Sequence, residues 1–227
     1  MGLKFSLAAS LQGHRVGIYS GEMSVSQVQK RLSMLAKTSP SMSDKEALEE
    51  LKKKDLKMTI MTQRELGGRA TCKDLEKMII TDELEFLFVD QLSLMDDVNK
   101  KVWDTRTRFA NISSDLFSLS CKYHLPIILA VQSNRDGSMQ KDAPMLENIA
   151  ESDAVGQNAT RVIGIRREGS FLTMNCSKNR YGDDTFVQRY DTDYSINKFI
   201  PIIAQQPTLP NAQQNQQFRK RNIGGGF

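Results

Sequence analysis

Long apolar runs are missing from these 227 residues, and none approaches the roughly 20 that a bilayer span requires. Met1 is not followed by the basic, apolar and small-residue pattern of a signal peptide. Those two absences make the cytoplasm the expected compartment. Cysteine is scarce as well. Cys72, Cys121 and Cys176 are odd in number, widely separated and form no C-x-x-C pair. They read as reduced thiols, not as a disulfide framework or a zinc site. His14 and His124 stand alone, so neither is a candidate metal ligand. A strong charge of one sign is also lacking: the net +4 permits contact with nucleic acid without arguing for it. Internal repeats are absent.

What is present suits a globular chain. Hydrophobic residues make up 39% and charged residues 26%, and the length allows one sizeable domain with a core, or a domain plus tails. "KFSLAASLQG" has helical spacing and stops at Gly13, suited to the position after a helix end. "RVGIYSGEM" reads as a short buried strand. "SVSQ" at Ser24–Gln27 is a capping-box pattern opening a helix to about Lys37. Residues 44–57 mix both charge signs at i,i+4 spacing and read as a solvated helix. Then come strand "MTIMT", helix "TCKDLEKMII", strand "FLFVD", a long helix from Trp103 to Tyr123 and strand "PIILAVQ". Such alternation predicts an α/β fold: a mainly parallel sheet flanked by helices. After the polar loop at 133–144, "RVIGIRRE", "FLTMNCSK" and "TFVQRYD" are separated only by turns, which predicts an antiparallel hairpin edge near the C-terminus. Residues 1–204 form the expected domain. Residues 205–227, rich in Gln, Asn, Pro and Gly, are expected to be a disordered tail.

Burying a lone carboxylate is expensive, yet Asp90 closes the greasy run "FLFVD". A cation would explain it; a helix cap or turn would explain it too. Two further polar residues stand at equivalent places: Glu22 after "VGIYSG" and Gln132 after "PIILAV". Ligands of open α/β sheets bind at the carboxyl ends of the strands. Asp90 suits Mg²⁺, Glu22 suits orienting and deprotonating a water, and Gln132 suits sensing a phosphate.

"GHRVGIYSGEMSVSQVQKR", "FLFVDQLSLM", "LPIILAVQSNR", "ENIAESDAVGQNATRVIGI" and "CSKNRYGD" follow one another in an order and spacing that resemble the RecA-like motor domain of DnaB-type replicative helicases. The likeness covers roughly residues 1–200 and is nearest to phage-encoded members, which would place the chain in a host cytoplasm. It implies a RecA-like fold, ATP and Mg²⁺ as cofactors, single-stranded DNA as a partner, a homo-oligomer in the form of a hexameric ring, a helicase loader or primase as a further partner, and no membrane. By that resemblance Glu22 is the catalytic glutamate, Asp90 the Walker B aspartate that holds the metal, and Gln132 the phosphate-sensing glutamine. Lys178 and Arg180 match the basic pair reaching a neighbouring subunit's nucleotide. Arg31 matches an arginine whose role stays open. Asn134 and Arg135, in the loop after Gln132, and Glu151 and Ser152, in the channel loop, are the expected DNA contacts.

The chain also departs from the pattern. Ala150 stands where members carry an arginine, and Gln157, Asn158, Ala159 and Thr160 replace glutamine-aspartate-alanine-aspartate. Arg135 and Lys141 are the expected substitutes for the lost grip on DNA. No G-x-x-x-x-G-K-[ST] loop occurs in the sequence; Gly2 and Lys4 have the wrong spacing. The expectation is therefore a carboxy-terminal piece of a helicase, inactive by itself. A RecA- or RadA-type recombination ATPase, and a non-catalytic module that joins rings of a complete partner, are the alternatives.

Overall fold

Four strands with apolar side chains on both faces lie parallel in the order β2-β1-β3-β4: β1 Val16–Ser20, β2 Met58–Thr62, β3 Phe86–Asp90 and β4 Ile127–Leu129. In this computed structural model the described residues are 1–99, 104–133, 143–145, 153–182, 186–193, 195–196 and 198–202. The expected tail therefore lies outside them. β1 is buried at all five positions. Its register sets Ser20 beside both Thr62 and Asp90, so the carboxyl ends of three strands finish in one row.

Successive strand residues point to opposite faces, and each face has its own core. Ile18 and Phe88 pack with Leu7 of α1 (Gly2–Leu11), Val28 and Leu32 of α2 (Val25–Leu35), and Leu51 of α3 (Asp44–Lys52). Tyr19, Leu87 and Val89 pack on the other side. They meet Leu75 and Met78 of α5 (Cys72–Thr81), and Ile112 and Leu116 of α6 (Thr105–Tyr123). A one-turn helix α4, Gln63–Leu66, follows β2 directly. Helix starts are held as the sequence predicts: Ser24 with Gln27 forms a capping box on α2. Ser43 with Glu46 does the same on α3, and Asp104 caps α6 from Thr107. Among the described residues no helix is long and apolar enough to cross a membrane.

The carboxy-terminal part is antiparallel as expected, with two differences. It is a sheet of its own, and it has four strands, in the order β5-β6-β7-β8. They are β5 Arg161–Glu168, β6 Phe171–Asn179, β7 Val187–Asp193 and β8 Lys198–Ile202. Its seat on the remainder of the chain is specific. Buried Asn175 accepts from the Gly164 amide at 3.1 Å and donates to the Ala143 carbonyl at 2.9 Å. A Cβ on Gly164 would stand 1.7 Å from the Pro144 carbonyl oxygen, so only glycine lets that segment lie on the sheet. Before β5 comes a short helix, α7, Asp153–Asn158, packed on α6.

The buried Tyr19 hydroxyl donates to the Leu94 carbonyl at 3.0 Å and accepts from the Ala70 amide at 3.1 Å. Tyr19→Phe keeps the ring but strands a fully buried N–H. The expected loss is about 1–3 kcal/mol, read as a lower urea midpoint at unchanged slope. An unchanged midpoint would show that neither bond contributes to stability.

Candidate functional site

Asp90 is the last residue of β3, half-buried, and its carbonyl accepts from the Gly21 amide at 2.7 Å. That bond stitches the loop after β1 to the end of β3. Glu22 is the next residue in the loop. The Met23 amide donates to the buried Ser20 hydroxyl at 3.1 Å, and Ser24 then starts α2. The loop has almost no slack, so Glu22 is held two residues beyond β1, exposed at the sheet's carboxyl edge.

Electrostatics confirm the proximity. The Asp90 carboxyl is pushed above its ordinary value, first by desolvation and then by the negative charge of Glu22. Arg31 and the Met1 amino group pull it back down. The Met1 amino group is itself lowered, mainly by burial, with Asp90 opposing and Lys4 and Arg31 adding to the effect. Two carboxylates and three cationic groups thus share one neighbourhood, at the amino-terminal end of α1. That helix sits directly on β3: a Cβ on Gly2 would lie 2.1 Å from the Phe88 ring. A helix start offers unpaired N–H groups and the positive end of the helix dipole.

On its other side Glu22 borders a polar pocket of about 380 Å³, lined also by Ser24, Gln27, Gln63, Arg64 and Gly68. Gln132 is exposed, three residues past the end of β4. The chain still follows its neighbour there, since the Ala130 amide donates to the Val89 carbonyl and the Leu92 amide to the Ala130 carbonyl. Gln132 therefore emerges from the same edge as Asp90.

Lys178 and Arg180 lie elsewhere, at the end of β6. Lys178 Nζ donates to the carbonyls of Gly156 and Gln157, and Arg180 Nη2 to that of Gln157. Among the described residues neither is paired with Glu22 or Asp90. The structure thus sets Glu22 beside Asp90, places Gln132 just past the end of the adjoining strand, and leaves the basic pair apart within one chain. Asn134, Arg135, Lys141, Glu151 and Ser152 lie outside the described residues. No group of three or more His, Cys, Asp or Glu able to hold a metal occurs among the described residues. A half-buried carboxylate beside a second one does fit Mg²⁺, which keeps most of its waters and takes one or two carboxylates plus substrate phosphates.

The profile of the DnaB-like helicase C-terminal domain matches residues 1–198. The chain belongs to that family. Its relatives include replicative DNA helicase DnaB of Helicobacter pylori, 33% identical over 99 residues, which are 43% of this chain and 20% of that protein. DnaB of Rickettsia typhi is 28% identical over 170 residues, 70% of this chain and 34% of that protein. The chain therefore spans at most about a third of the curated DnaB relatives it matches. Among solved structures, the ATPase domain of G40P superposes with a TM-score of 0.77 at 16% identity, covering 88% of this chain and 79% of that one. A DnaB-like replicative helicase, described with its interactions with primase, gives 0.76 at 17%, covering 88% and 55%. These superpositions establish the RecA-like α/β fold.

Sequence reasoning singled out Arg31 by resemblance but missed its approach, and that of the start of α1, to Asp90.

Folded Asp90 keeps its proton to a higher pH than the 3.8 of an ordinary aspartate. Just above that value the native state binds more protons than the unfolded chain, so stability falls as pH rises through the window. Asp90→Asn removes the loss. The variant is expected to be the more stable protein near neutral pH, with the gap closing toward about pH 4. Urea midpoints across that range measure it, and a variant less stable at neutral pH would contradict it.

Proposed function

We propose that this chain is the motor segment of a replicative, ATP-driven DNA helicase that encircles single-stranded DNA as a homo-oligomeric, hexameric ring. The observation that carries the reading is the Asp90–Glu22 pair at the carboxyl edge of the sheet, beneath the start of α1. Glu22 is exposed and negatively charged, and it stands where an attacking water would need orienting and deprotonating. Asp90 would hold Mg²⁺ through its carboxylate. When bound, that ion neutralises charge on the β- and γ-phosphates. Gln132, able to donate and to accept, reports the phosphate's presence to the loop behind it. That loop and residues 147–160 touch the DNA, through Asn134, Arg135, Lys141, Glu151 and Ser152. Lys178 and Arg180 act on the nucleotide of the neighbouring copy. A primase or a loader is the expected further partner, and the cell or host cytoplasm the expected compartment.

The sequence contains no G-x-x-x-x-G-K-[ST], so in this reading the phosphate cradle comes from polypeptide outside these 227 residues. The purified chain is then expected to hydrolyse ATP little or not at all. Turnover at the rate of a ring motor would overturn that.

The same fact favours a second reading, a non-catalytic module that joins rings of a complete partner. One experiment separates the two, made in a protein that joins this segment to a phosphate-binding loop. Arg180→Ala and Glu22→Gln should each fold and bind nucleotide yet lose hydrolysis; a finger supplied in trans is worth about 10³–10⁵ in turnover. Mixing the two variants should restore part of the activity, because some interfaces then pair an intact Glu22 with an intact neighbouring Arg180. Mixed rings that form but remain dead would count against the motor.

A further inference from the structure

The two cations at the end of β6 are already engaged. Lys178 Nζ donates to the Gly156 carbonyl at 2.8 Å and the Gln157 carbonyl at 2.9 Å, while Arg180 Nη2 donates to Gln157 at 2.6 Å. These carbonyls belong to the last turn of α7, where a helix has no internal partner for them. A cation there also meets the negative end of the helix dipole. The exposed Arg180 guanidinium lies 6.0 Å from the centre of the Phe117 ring on α6, so it rests against the surface of its own chain. Its backbone joins in as well, the Arg180 amide donating to the Thr160 carbonyl at 3.0 Å.

α7 depends on such outside help. Six residues are far below the length at which a helix holds itself in water. Its amino end is tied by Arg106, which pairs with Asp153 at 3.0 Å, and its carboxyl end by Asn158, which donates to Ser113 at 2.8 Å. Buried Val155 seats α7 in the core cluster that includes Ile112 and Leu116 of α6, and the three bonds from Lys178 and Arg180 add a hold on that last turn.

We propose that Lys178 and Arg180 are a latch on α7 that an incoming oxyanion opens. The terminal phosphate of a nucleotide held by a second copy of this chain takes the two cations, and the carboxyl end of α7 is released. This rests on the reading of the pair as phosphate-binding given above. The exchange is directional. A peptide carbonyl is a neutral acceptor and a phosphate a charged one, and hydrogen bonds with both partners charged are shorter and stronger. Arrival of the phosphate at one copy is thereby felt in the 147–160 segment, the stretch assigned to DNA.

The test uses the full chain, its Arg180→Ala and Lys178→Gln variants, and inorganic triphosphate as the probe. Amide exchange is read by mass spectrometry on peptides spanning 153–160, and triphosphate binding by calorimetry. Without probe, both variants should exchange in 153–160 on the order of tenfold faster than wild type, with peptides from β1 and β3 unchanged. Triphosphate should bring the wild type up toward the variants and leave Arg180→Ala where it was. Unchanged protection of 153–160 in both variants would overturn the latch. Triphosphate that binds through Arg180 yet leaves wild-type protection unaltered would overturn the latch while the phosphate-binding reading stands. Binding that is absent, or indifferent to both residues, would overturn the two together. Should Arg180→Ala fail to fold, Arg180→Lys beside Lys178→Gln carries the same comparison.

Discussion

The Gly21-to-Asp90 hydrogen bond, 2.7 Å long, ties together the two backbones that carry Glu22 and Asp90. β1 and β3 are neighbours in register, with Ser20 beside Asp90. One residue later the backbone of the first is still bonded to the backbone of the second. The Glu22 backbone is held one residue from that bond. Desolvation and Glu22 both act against the charge on Asp90, and a protein has no stability reason to build such a pair. The opposing cations, Arg31 and the Met1 amino group, only partly offset it. Carboxylates perturbed by burial and by each other are characteristic of ligand sites, and in the proposed function a divalent cation with phosphates is that ligand.

Much of this was legible in the sequence because each signal is local. Apolar runs of four to six residues between capped helices gave the parallel sheet. Ser24 with Gln27 marked the start of α2, and the capping box is there. Where reading failed, the deciding fact lay on another element. "PIILAVQ" predicts a strand to Gln132, but β4 stops at Leu129. Its neighbour β3 ends at Asp90 and turns off into a tight turn at Leu92–Leu94. Among the described residues no partner strand remains for the last residues to pair with. β8 went unread because Pro201 demotes the run "KFIPI". Proline is tolerated there because β8 is an edge strand, bonded on one side to β7. The fit of Arg31 and the Met1 amino group around Asp90 depends on how α1 and α2 cross the sheet, which no spacing along the chain encodes.

Lys178 and Arg180 show how a motif can be right in place and incomplete in role. Their spacing in an extended segment, with Gly182 closing the turn, indicates a basic pair at a hairpin. It does not indicate that both side chains fold back onto α7. The desolvation that lowers the Lys178 ammonium, together with the charge of Arg180 beside it, reflects that inward seating. A cation held this way is pre-positioned but engaged, so any role for it on another molecule includes breaking contacts it already has.

α6 connects the two halves of the molecule. On one side its Ile112 and Leu116 are buried in the same cluster as Leu87 and Val89 of β3. On another its Arg106, Ser113 and Phe117 meet Asp153, Asn158 and Arg180. The strand that presents Asp90 and the hairpin that presents Arg180 are thus packed on one helix of 19 residues. Close-packed side chains have few intermediate arrangements and shift together. The apolar side of α6 has no such alternative, since its residues are locked in the core. The polar side does, because its contacts with Asp153, Asn158 and Arg180 are hydrogen bonds or a ring contact that another partner can replace, while Val155 of α7 stays in the core. Coupling between the carboxyl edge and the segment proposed to meet DNA is therefore expected to run through exchange of partners at the α6–α7 surface, with β3 and the buried face of α6 as the fixed frame.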